Sequence, residues 1–440
     1  LVAASSCSLI IKDEEVDKQT PIIEVVGKTF TKAEVNEQVE AVMDYEEYMY
    51  SMYGISYDRT DASTISMAQD SAIDAMVQQA VLEKKAADLG LDVLSDEEKA
   101  EVEESVDSTY TLYSDSVKSA YFADTELEGE ELDAAVEAKM AELAYPTREE
   151  LVESETNAKV LEKVRDEAVK DVTVSEEELQ EAYNTHVESA MTTYGNSPSS
   201  YGTDVQNGAT IYYVPAGYRY VKHILIEFTD EDSQAISDLE SQISQKQTEL
   251  STAETSLADL GEDASADDEA TAQNRATLSE TVEARTAEIA DLESQLEDAK
   301  EAAYAAIQPT VDEVEEKLAA GEDFDALMEQ YGQDPGMQTS PAKENGYPVS
   351  ADSTNWVTEF RDAAMALENV GDVSEPVRSE YGIHIIKYVS DAVEGEVGLD
   401  AVRDALETEV LTQKQDEAYT AAVDAWVAEA DAKIYKDRLN

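Results

Sequence analysis

Two short apolar stretches, YVKHILIEF at residues 220–228 and YGIHIIKYV at residues 381–389, give the strongest structural signal in this chain. Each has the β-branched and aromatic residues typical of a strand, and each contains one of only 3 histidines in the sequence. Side chains alternate between the two faces of a strand. His223 and His384 can therefore meet if the two strands are neighbours in one sheet. The residues alone leave two interpretations nearly equal, a functional pair or two core histidines with satisfied hydrogen bonds.

Charge restricts the partners of the chain. Its 440 residues include 100 acidic and 31 basic residues, for a formal net charge of −69. Charge-driven binding to nucleic acid or to an anionic membrane surface is therefore disfavoured, and we expect no nucleic-acid partner. Hydrophobic residues make up 42% of the chain, which is enough to bury a core, and the length predicts two or three domains. No stretch approaches the roughly 18 to 20 consecutive apolar residues that a membrane-spanning helix requires.

Cys7 is the only cysteine, so the sequence permits neither an internal disulfide nor a metal site built from several cysteines. In LVAASSCSLI, residues 1–10, small residues precede the thiol as they do at a signal-peptidase site. The stretch resembles the end of a bacterial lipoprotein signal, which implies a lipid anchor on Cys7. An inert thiol near a frayed terminus is an equally good interpretation of these residues alone.

Local patterns predict a mainly helical N-terminal region. IIEVVGKTFTKAEVNEQVE, residues 22–40, predicts a strand pair that turns at Gly27 and a helix capped by Thr31 with Glu34. Residues 192–217 are rich in Ser, Gly, Asn and Tyr and predict an irregular linker. Further helices are predicted at residues 66–90, with Gly90 as C-cap, and at about 95–120, 129–144, 147–170, 175–191 and 399–436.

Residues 233–303 carry a different pattern. Apolar residues recur in steps of three and four on both sides of the polar turn GEDASADDEA, residues 261–270. Two such arms predict an antiparallel coiled-coil hairpin that projects into solvent, and the alternative is a helix pair packed on the domain surface. Lys246 and Arg285 fall at seam positions, where we expect them to weaken the pairing.

The common signatures of hydrolases, zinc proteases and nucleotide-binding enzymes are missing. Residues 218–230 and 304–391 instead resemble a parvulin-type peptidyl-prolyl isomerase domain. With the helical region before them, the chain resembles PrsA-like extracellular foldase lipoproteins with a SurA-like N-terminal chaperone region. The motifs that carry the resemblance are KHILI (222–226), KLAAGEDFDALMEQYGQD (317–334), FRDAAMALENVGDVSEPVRSEYGIHIIKYV (360–389), VLEKKAADLGLDVLSDEE (81–98) and VTVSEEELQEAYNTH (172–186).

The resemblance implies an active site in which a hydrophobic proline pocket lies beside a polar network. His223 and His384 match the family's histidine pair, and Asp334 matches its cysteine-or-aspartate position. Tyr381 matches a position that carries a hydroxyl or an aromatic ring. Phe360 and Trp356 match apolar pocket positions, and the resemblance raises the lipid-anchor interpretation of Cys7 above the inert one.

One stretch departs from the family pattern. SPAKENGYPV, residues 340–349, stands where the family usually has Gly-Gly-Asp-Leu-Gly. Gly346 is retained, but Asn345 replaces the leucine, and both are expected to line the substrate pocket. A polar side chain there is expected to loosen the grip on proline and to weaken catalysis.

The expected fold class is α+β. A helical chaperone domain is built from N-terminal and C-terminal segments, and a parvulin-like domain with a small antiparallel sheet carries the coiled-coil hairpin as an insertion. The expected segments are a signal remnant and tether (1–17), the N-terminal helical domain (18–205), the parvulin-like domain (206–232 and 304–392), the hairpin (233–303) and a C-terminal helical segment (393–440).

The implied function is isomerisation of X-Pro bonds in unfolded or partly folded secreted proteins, outside the bacterial cytoplasm, by a foldase that is lipid-anchored at the cell membrane. Rotation about an X-Pro bond breaks no covalent bond, so no cofactor or metal is expected. The alternative is a non-catalytic holdase or scaffold with a degenerate isomerase domain, whose hairpin serves as an arm or a homodimer contact. The aromatic stretch DYEEYMYSMYG, residues 44–54, is more simply explained by helix packing than by client binding.

Overall fold

A computed structural model of the chain describes residues 14–123, 125, 127–260 and 269–439. The chain divides into two compact units, Leu1–Ser175 with Thr408–Asn440, and Glu176–Glu407. Cys7 and most of the turn of the predicted hairpin, residues 261–268, lie outside the described residues.

The first unit begins with the predicted strand pair. After the short helix α1, β1 and β2 run antiparallel, and Gly27 makes the turn with a φ of +84°. Thr31 and Glu34 form the predicted capping box, since the Thr31 N–H donates to Glu34 Oε2 at 2.7 Å and the Glu34 N–H donates to Thr31 Oγ1 at 3.4 Å. The elements are α1 (Glu14–Lys18), β1 (Pro21–Val25), β2 (Lys28–Thr31) and α2 (Lys32–Met52).

Four longer helices complete the N-terminal part of this unit. Gly90 ends α3 in the left-handed conformation, as the sequence predicts. The buried face of α3, including Ile73 and Val77, packs with Ile22 and Ile23 of β1 in one apolar core. The helices are α3 (Ala62–Leu89), α4 (Asp96–Tyr121), α5 (Gly129–Glu142) and α6 (Arg148–Val169).

The aromatic stretch at the end of α2 is largely exposed, which differs from the prediction that its side chains serve helix packing. Its large side chains are exposed by 45% to 75%, and they are Tyr45, Tyr48, Tyr50, Met52 and Tyr53. We call these five residues the aromatic strip.

The second unit begins with α7 (Glu176–Asn196) and α8 (Ser200–Gln206). The predicted irregular linker is therefore partly wrong. The tyrosines of that segment do not stay in solvent, because Tyr201 packs edge-to-face against Tyr194 and Tyr218 and is almost fully buried. These contacts, with packing of α8 on β5 (Tyr347–Val349), explain why these helices belong to the second unit and not to the first.

A four-stranded antiparallel sheet forms the centre of this unit, in the order β5-β4-β7-β6. The long neighbours β4 and β7 contain the two histidines, and Leu225 lies opposite His384 while Ile386 lies opposite His223. Its strands are β4 (Arg219–Glu227), β5, β6 (Val377–Ser379) and β7 (Gly382–Asp391), and β3 (Tyr213–Val214) pairs separately with β8 (Gly395–Glu396).

Two long helices, α9 (Asp230–Asp259) and α10 (Glu269–Ala319), pack along each other as the predicted hairpin. Lys246 and Arg285 do not sit unpaired in the seam, since both form ion pairs with Glu249 and Glu288. The predicted segment end at residue 303 does not correspond to a break. Instead α10 continues through Pro309 into the apolar core of the second unit, where Ile307, Val311 and Val314 are buried.

Three short helices lie between α10 and β6, namely α11 (Phe324–Tyr331), α12 (Ala342–Asn345) and α13 (Thr358–Ala366). The C-terminal helix α14 runs from Leu399 to Glu429. The prediction of helix up to residue 436 is wrong beyond this point, because β9 (Lys433–Ile434) adds to β1 and places Ile434 opposite Ile23. A 3₁₀ turn, Lys436–Arg438, follows.

The α+β fold class is confirmed, with mainly helical structure and small antiparallel sheets. In the parts of the chain that the structure describes, no helix has both the length and the apolar character needed to cross a bilayer.

Candidate functional site

The paired strands β4 and β7 bring the two histidines into contact. His223 Nδ1 lies 3.0 Å from His384 Nδ1, and the rings are stacked with their centroids 5.2 Å apart. Both side chains are only 4% exposed. One imidazole must donate and the other accept in this contact, so the two rings cannot both be cationic.

Asp334, in the loop after α11, is the third member of the network. Its Oδ2 lies 2.7 Å from His223 Nε2 and accepts a hydrogen bond from the Tyr347 hydroxyl at 2.9 Å. Its Oδ1 accepts from the Gly336 N–H at 2.9 Å. A half-buried carboxylate is thus held by three donors.

Ser379 extends the network on the far side of His384. Its Oγ lies 2.7 Å from His384 Nε2 and accepts from the Tyr381 N–H at 3.2 Å. With Asp334 ionised, His223 Nε2 carries a proton and donates to it. If His223 is neutral, the His384 Nδ1–H donates to His223 Nδ1, and the Ser379 hydroxyl donates to His384 Nε2. Every ring nitrogen of the two histidines then has a partner.

The ionisation of the network follows from its surroundings. Burial and the neighbouring His223 lower the pKa of His384 to about 3. Burial opposes ionisation of Asp334, but the hydrogen bonds from His223, Tyr347 and Gly336 outweigh it and lower the pKa of this carboxyl. Burial and the Asp334 charge raise the pKa of Tyr347. At neutral pH the site therefore combines a carboxylate with a neutral His384.

An apolar cavity of about 320 Å³ opens beside this network. Phe360 forms its floor, edge-on to His223 and His384 with centroid distances of 5.0 and 5.3 Å. Trp356 is fixed by its Nε1–H, which donates to the Pro348 carbonyl at 3.2 Å. Both apolar and polar side chains line the cavity, and the lining residues are His223, Leu225, Glu227, Asp334, Asn355, Trp356, Val357, Phe360, Tyr381 and His384.

The structure brings six of the eight residues expected in the site to this one cavity: His223, Asp334, Trp356, Phe360, Tyr381 and His384. Tyr381 stands at the rim and is 56% exposed.

Asn345 and Gly346 do not line the cavity beside the histidines, which corrects the expectation from the sequence. Asn345 ends α12 and borders another cavity with Tyr220 and Glu344, whereas Gly346 also lines a neighbouring cavity that shares Asp334 and Trp356 with the one beside the histidines. Gly346 turns the chain into β5 with a φ of +84°, where a Cβ would come within 2.6 Å of the Val221 carbonyl oxygen. Its conformational role is to let β5 approach β4 closely.

Sequence reasoning missed Tyr347 and Ser379, which complete the hydrogen bonds of Asp334 and His384. No local motif identifies them, because each depends on the register of a neighbouring strand. Leu225 and Val357 were also missed as lining residues. Strand alternation could have found Leu225, since it lies two residues after His223 and on the same face.

The sequence of this region matches a known family. Residues 291–390 match the model of the PPIC-type PPIase domain, a rotamase. The chain carries a PPIC-type PPIase domain. The match includes Asp334 and His384 but not His223, which lies on β4 before the hairpin and returns to the domain through sheet pairing. The hairpin therefore separates the two halves of one network in the sequence.

Several curated proteins that the chain resembles are named as foldases. Residues of the chain are 49% identical to "Foldase protein PrsA 4" of Bacillus cereus over 81 residues, which are 18% of this chain and 27% of that protein. They are 37% identical to "Foldase protein PrsA" of Geobacillus kaustophilus over 132 residues, 30% of this chain and 44% of that protein. The match thus spans less than half the length of these relatives.

Among solved structures, PrsA from Bacillus subtilis aligns over 94% of both chains, at 18% identity and a TM-score of 0.21. A score this low carries no argument about a shared arrangement of the whole chains. Within the described residues, no group of three or more His, Cys, Asp or Glu side chains is arranged to hold a metal ion.

Proposed function

We propose that the chain is a foldase that catalyses cis-trans isomerisation of X-Pro bonds, with the cavity beside His223 and His384 as its active site. The observation that carries this proposal is that a cavity lined by Phe360 and Trp356 adjoins a hydrogen-bonded His-His-Asp network. His223, Asp334, His384 and Tyr381 are the proposed catalytic residues, and Trp356 and Phe360 the proposed substrate-binding ones.

The reaction does not require the site to make or break a covalent bond. The barrier to rotation about a peptide bond is roughly 18–20 kcal/mol and arises from amide conjugation. The planar amide separates charge more than the twisted one does, so an apolar surround such as Phe360 and Trp356 favours the twisted form. A site that stabilises the twisted amide more than the planar one lowers the barrier.

The network contributes its electrostatics and its shape. Because every ring nitrogen of His223 and His384 is already partnered in the resting site, neither imidazole is free to act as a nucleophile. The pair fixes the position of the polar wall against which the substrate carbonyl would rotate. Asp334 holds the proton on His223 Nε2 and so sets the tautomer of the pair.

Asn345 does not line the cavity beside the histidines, so its polar side chain gives no reason to propose a loosened proline pocket there. The departure from the family's glycine-rich motif leaves Phe360, Trp356 and the histidines in contact. These contacts favour the catalytic proposal over the holdase alternative.

The proposed partners are unfolded or partly folded secreted proteins. Two features support this proposal. The aromatic strip offers exposed apolar side chains of the kind that bind non-native segments. The net charge of −69 favours basic clients.

The proposed location is the outer face of a bacterial cell membrane, with a lipid anchor on Cys7. The small residues before Cys7 and the similarity to PrsA foldases support it. Cys7→Ser, expressed behind a lipoprotein signal in a bacterial host, is expected to move the protein from the membrane fraction to the medium. Unchanged partitioning would rule out the anchor.

Two assays on the same preparation separate the catalytic proposal from the holdase alternative. One follows cis-to-trans conversion of a short blocked X-Pro peptide, and the other follows aggregation of a chemically unfolded protein. The proposal predicts that the chain accelerates the first reaction. A folded preparation that suppresses aggregation but leaves the peptide at its uncatalysed rate would identify a holdase.

A further inference from the structure

The active-site cavity is the first of three neighbouring cavities. A second one, of about 440 Å³, shares Asp334, Asn355 and Trp356 with it. A third, of about 350 Å³, shares Val205, Pro341 and Gly346 with the second. The shared lining residues place the second cavity between the other two, and we call the second and third cavities together the flanking groove.

Helix α8 supplies one wall of the flanking groove. Val205 borders both added cavities, and Gln206 Oε1 accepts a hydrogen bond from Asn355 Nδ2 at 3.0 Å across the second one. The PPIC-type match begins at residue 291, so this wall comes from a segment outside the matched range.

The position of α8 is fixed by the sheet beneath it. The hydroxyls of Tyr201 and Tyr220 are 2.8 Å apart, which ties α8 to β4. A Cβ on Gly202 would lie 3.6 Å from the Pro348 carbonyl oxygen on β5, so the helix backbone packs closely on the strand. The wall is therefore a rigid element and not a loop that folds over the groove.

The charge of the groove has one sign. Its ionisable lining residues are Glu227 and Asp334 near the histidines and Glu344 at the far end, with the network histidines themselves, and no lysine or arginine lines any of the three cavities. Backbone and amide groups supply most of the remaining polar surface. An extended polypeptide, at about 3.3 Å per residue, is the shape that fits a narrow cleft of linked cavities.

We propose that the flanking groove binds the polypeptide on one side of the isomerised proline, that Val205 and Gln206 contact it there, and that Asp334 and Glu344 favour neutral or basic flanking residues over acidic ones. This proposal rests on the proposed isomerase function. It assigns to α8 a role in substrate selection.

The test compares peptides of different length in the isomerisation assay. The short peptide has one blocked residue on each side of proline, and two longer peptides extend it by four residues on the N-terminal or the C-terminal side. For wild type, extension on one side only is expected to raise kcat/KM by roughly 3- to 10-fold, the range of one or two added hydrogen bonds. Lysine in the extension is expected to preserve this gain, and glutamate to remove it.

Three variants test whether the gain in kcat/KM from the longer peptides arises in the flanking groove. Gln206→Ala is expected to reduce the gain from extension, and Thr339→Trp, at an exposed position lining the second cavity, is expected to abolish it. Both should leave kcat/KM for the short peptide within twofold of wild type. Thr203→Ala, also exposed on α8 but outside the three cavities, is the matched control and should behave as wild type.

Equal kcat/KM for short and long peptides in wild type would overturn the groove proposal, as would equal losses on both peptides in Gln206→Ala and Thr339→Trp. Failure of the isomerase function has a different signature, since the short peptide would then not be converted by any folded preparation. In that case the fluorescence anisotropy of a labelled long peptide still measures its binding to the flanking groove. Binding that is unaffected by Thr339→Trp would contradict the groove proposal.

Discussion

His384 couples the stability of the second unit to pH. Its pKa is about 3 in the folded protein, against an ordinary value near 6.5. As pH falls below about 6.5 the unfolded chain takes up a proton that the folded chain does not. The free energy of unfolding should therefore fall between about pH 6.5 and pH 3, by up to about 1.4 kcal/mol per pH unit, with no contribution from this group above that window.

Tryptophan fluorescence can measure this dependence. The chain has 2 tryptophans, so Trp426→Phe leaves Trp356 as the reporter of the second unit. In this background urea unfolding between pH 4.5 and 7.5 is expected to show a steeper loss of stability for the parent than for His384→Gln. Parallel curves for the two proteins would show that His384 does not stay neutral in the fold.

Gly336 has a steric role in positioning the network. A Cβ at this position would lie 2.1 Å from the Tyr347 hydroxyl oxygen and 3.3 Å from Asp334 Oδ1. Gly336→Ala must therefore displace Tyr347 from the carboxylate. We expect kcat/KM for the short peptide to fall by roughly 10-fold, the value of one hydrogen bond to a charged group.

Gly398→Ala is the control for this substitution, because a Cβ there meets nothing within 4 Å. It should retain wild-type activity. A Gly336→Ala protein with wild-type kcat/KM would show that the Tyr347–Asp334 contact is dispensable.

The sequence could identify only some of the individual residues of the site. His223 and His384 stand out because histidine is rare and both lie in apolar strands, and family motifs add Asp334. Tyr347 and Ser379 reach the network through sheet register, which a single sequence does not specify. Asn345 shows the opposite error, since its position in a motif predicted that it lines the cavity beside the histidines, and it lines another one.

At the scale of elements, the hairpin is separable from the site. No residue of α9 lines the active-site cavity, and neither does any residue of α10. Ile236 and Ala303, near the base of the hairpin, belong to the isomerase core. Replacing residues 245–288 by a short Gly-Ser turn removes the ion pairs of Lys246 and Arg285 but keeps this base.

The shortened protein is expected to isomerise the short peptide with kcat/KM within twofold of wild type. Circular dichroism should show a helical loss that matches the deleted residues alone. If the fold is retained but catalytic efficiency drops by an order of magnitude or more, the distal hairpin supports the site.

The sequence predicts a helix end well when a few neighbouring residues determine it. The Thr31 capping box and the Gly90 C-cap are fixed by a few neighbouring residues, and both are confirmed. By contrast, α8 is stabilised by tyrosines that pack across the unit, and β9 exists because it pairs with β1, a strand far away in the sequence. Such long-range contacts override composition, which is why local patterns mispredict the Ser-rich segment and the end of the last helix.

At the scale of the whole molecule, client binding and catalysis should be separable. The aromatic strip is on α2 and just after it, in the first unit, whereas the cavity is in the second. Tyr48→Ser with Tyr53→Ser is therefore expected to weaken suppression of aggregation, measured by light scattering of an unfolded protein. Conversion of the short X-Pro peptide should be unchanged.

Val93→Ser with Leu112→Ser is the matched control, since these apolar side chains are also exposed in the first unit but lie outside the strip. Equal loss of chaperone activity in both double variants would show that the strip has no special role.

We infer that one His-His-Asp network beside Phe360 catalyses proline isomerisation. This inference is tested by measuring kcat/KM on a short X-Pro peptide for wild type and for the combined His223→Ala, Asp334→Ala and His384→Ala variant, with circular dichroism to verify the fold. We expect wild type to convert the peptide and the folded variant to leave it near the uncatalysed rate. Wild-type activity in the variant would contradict the assignment of this site.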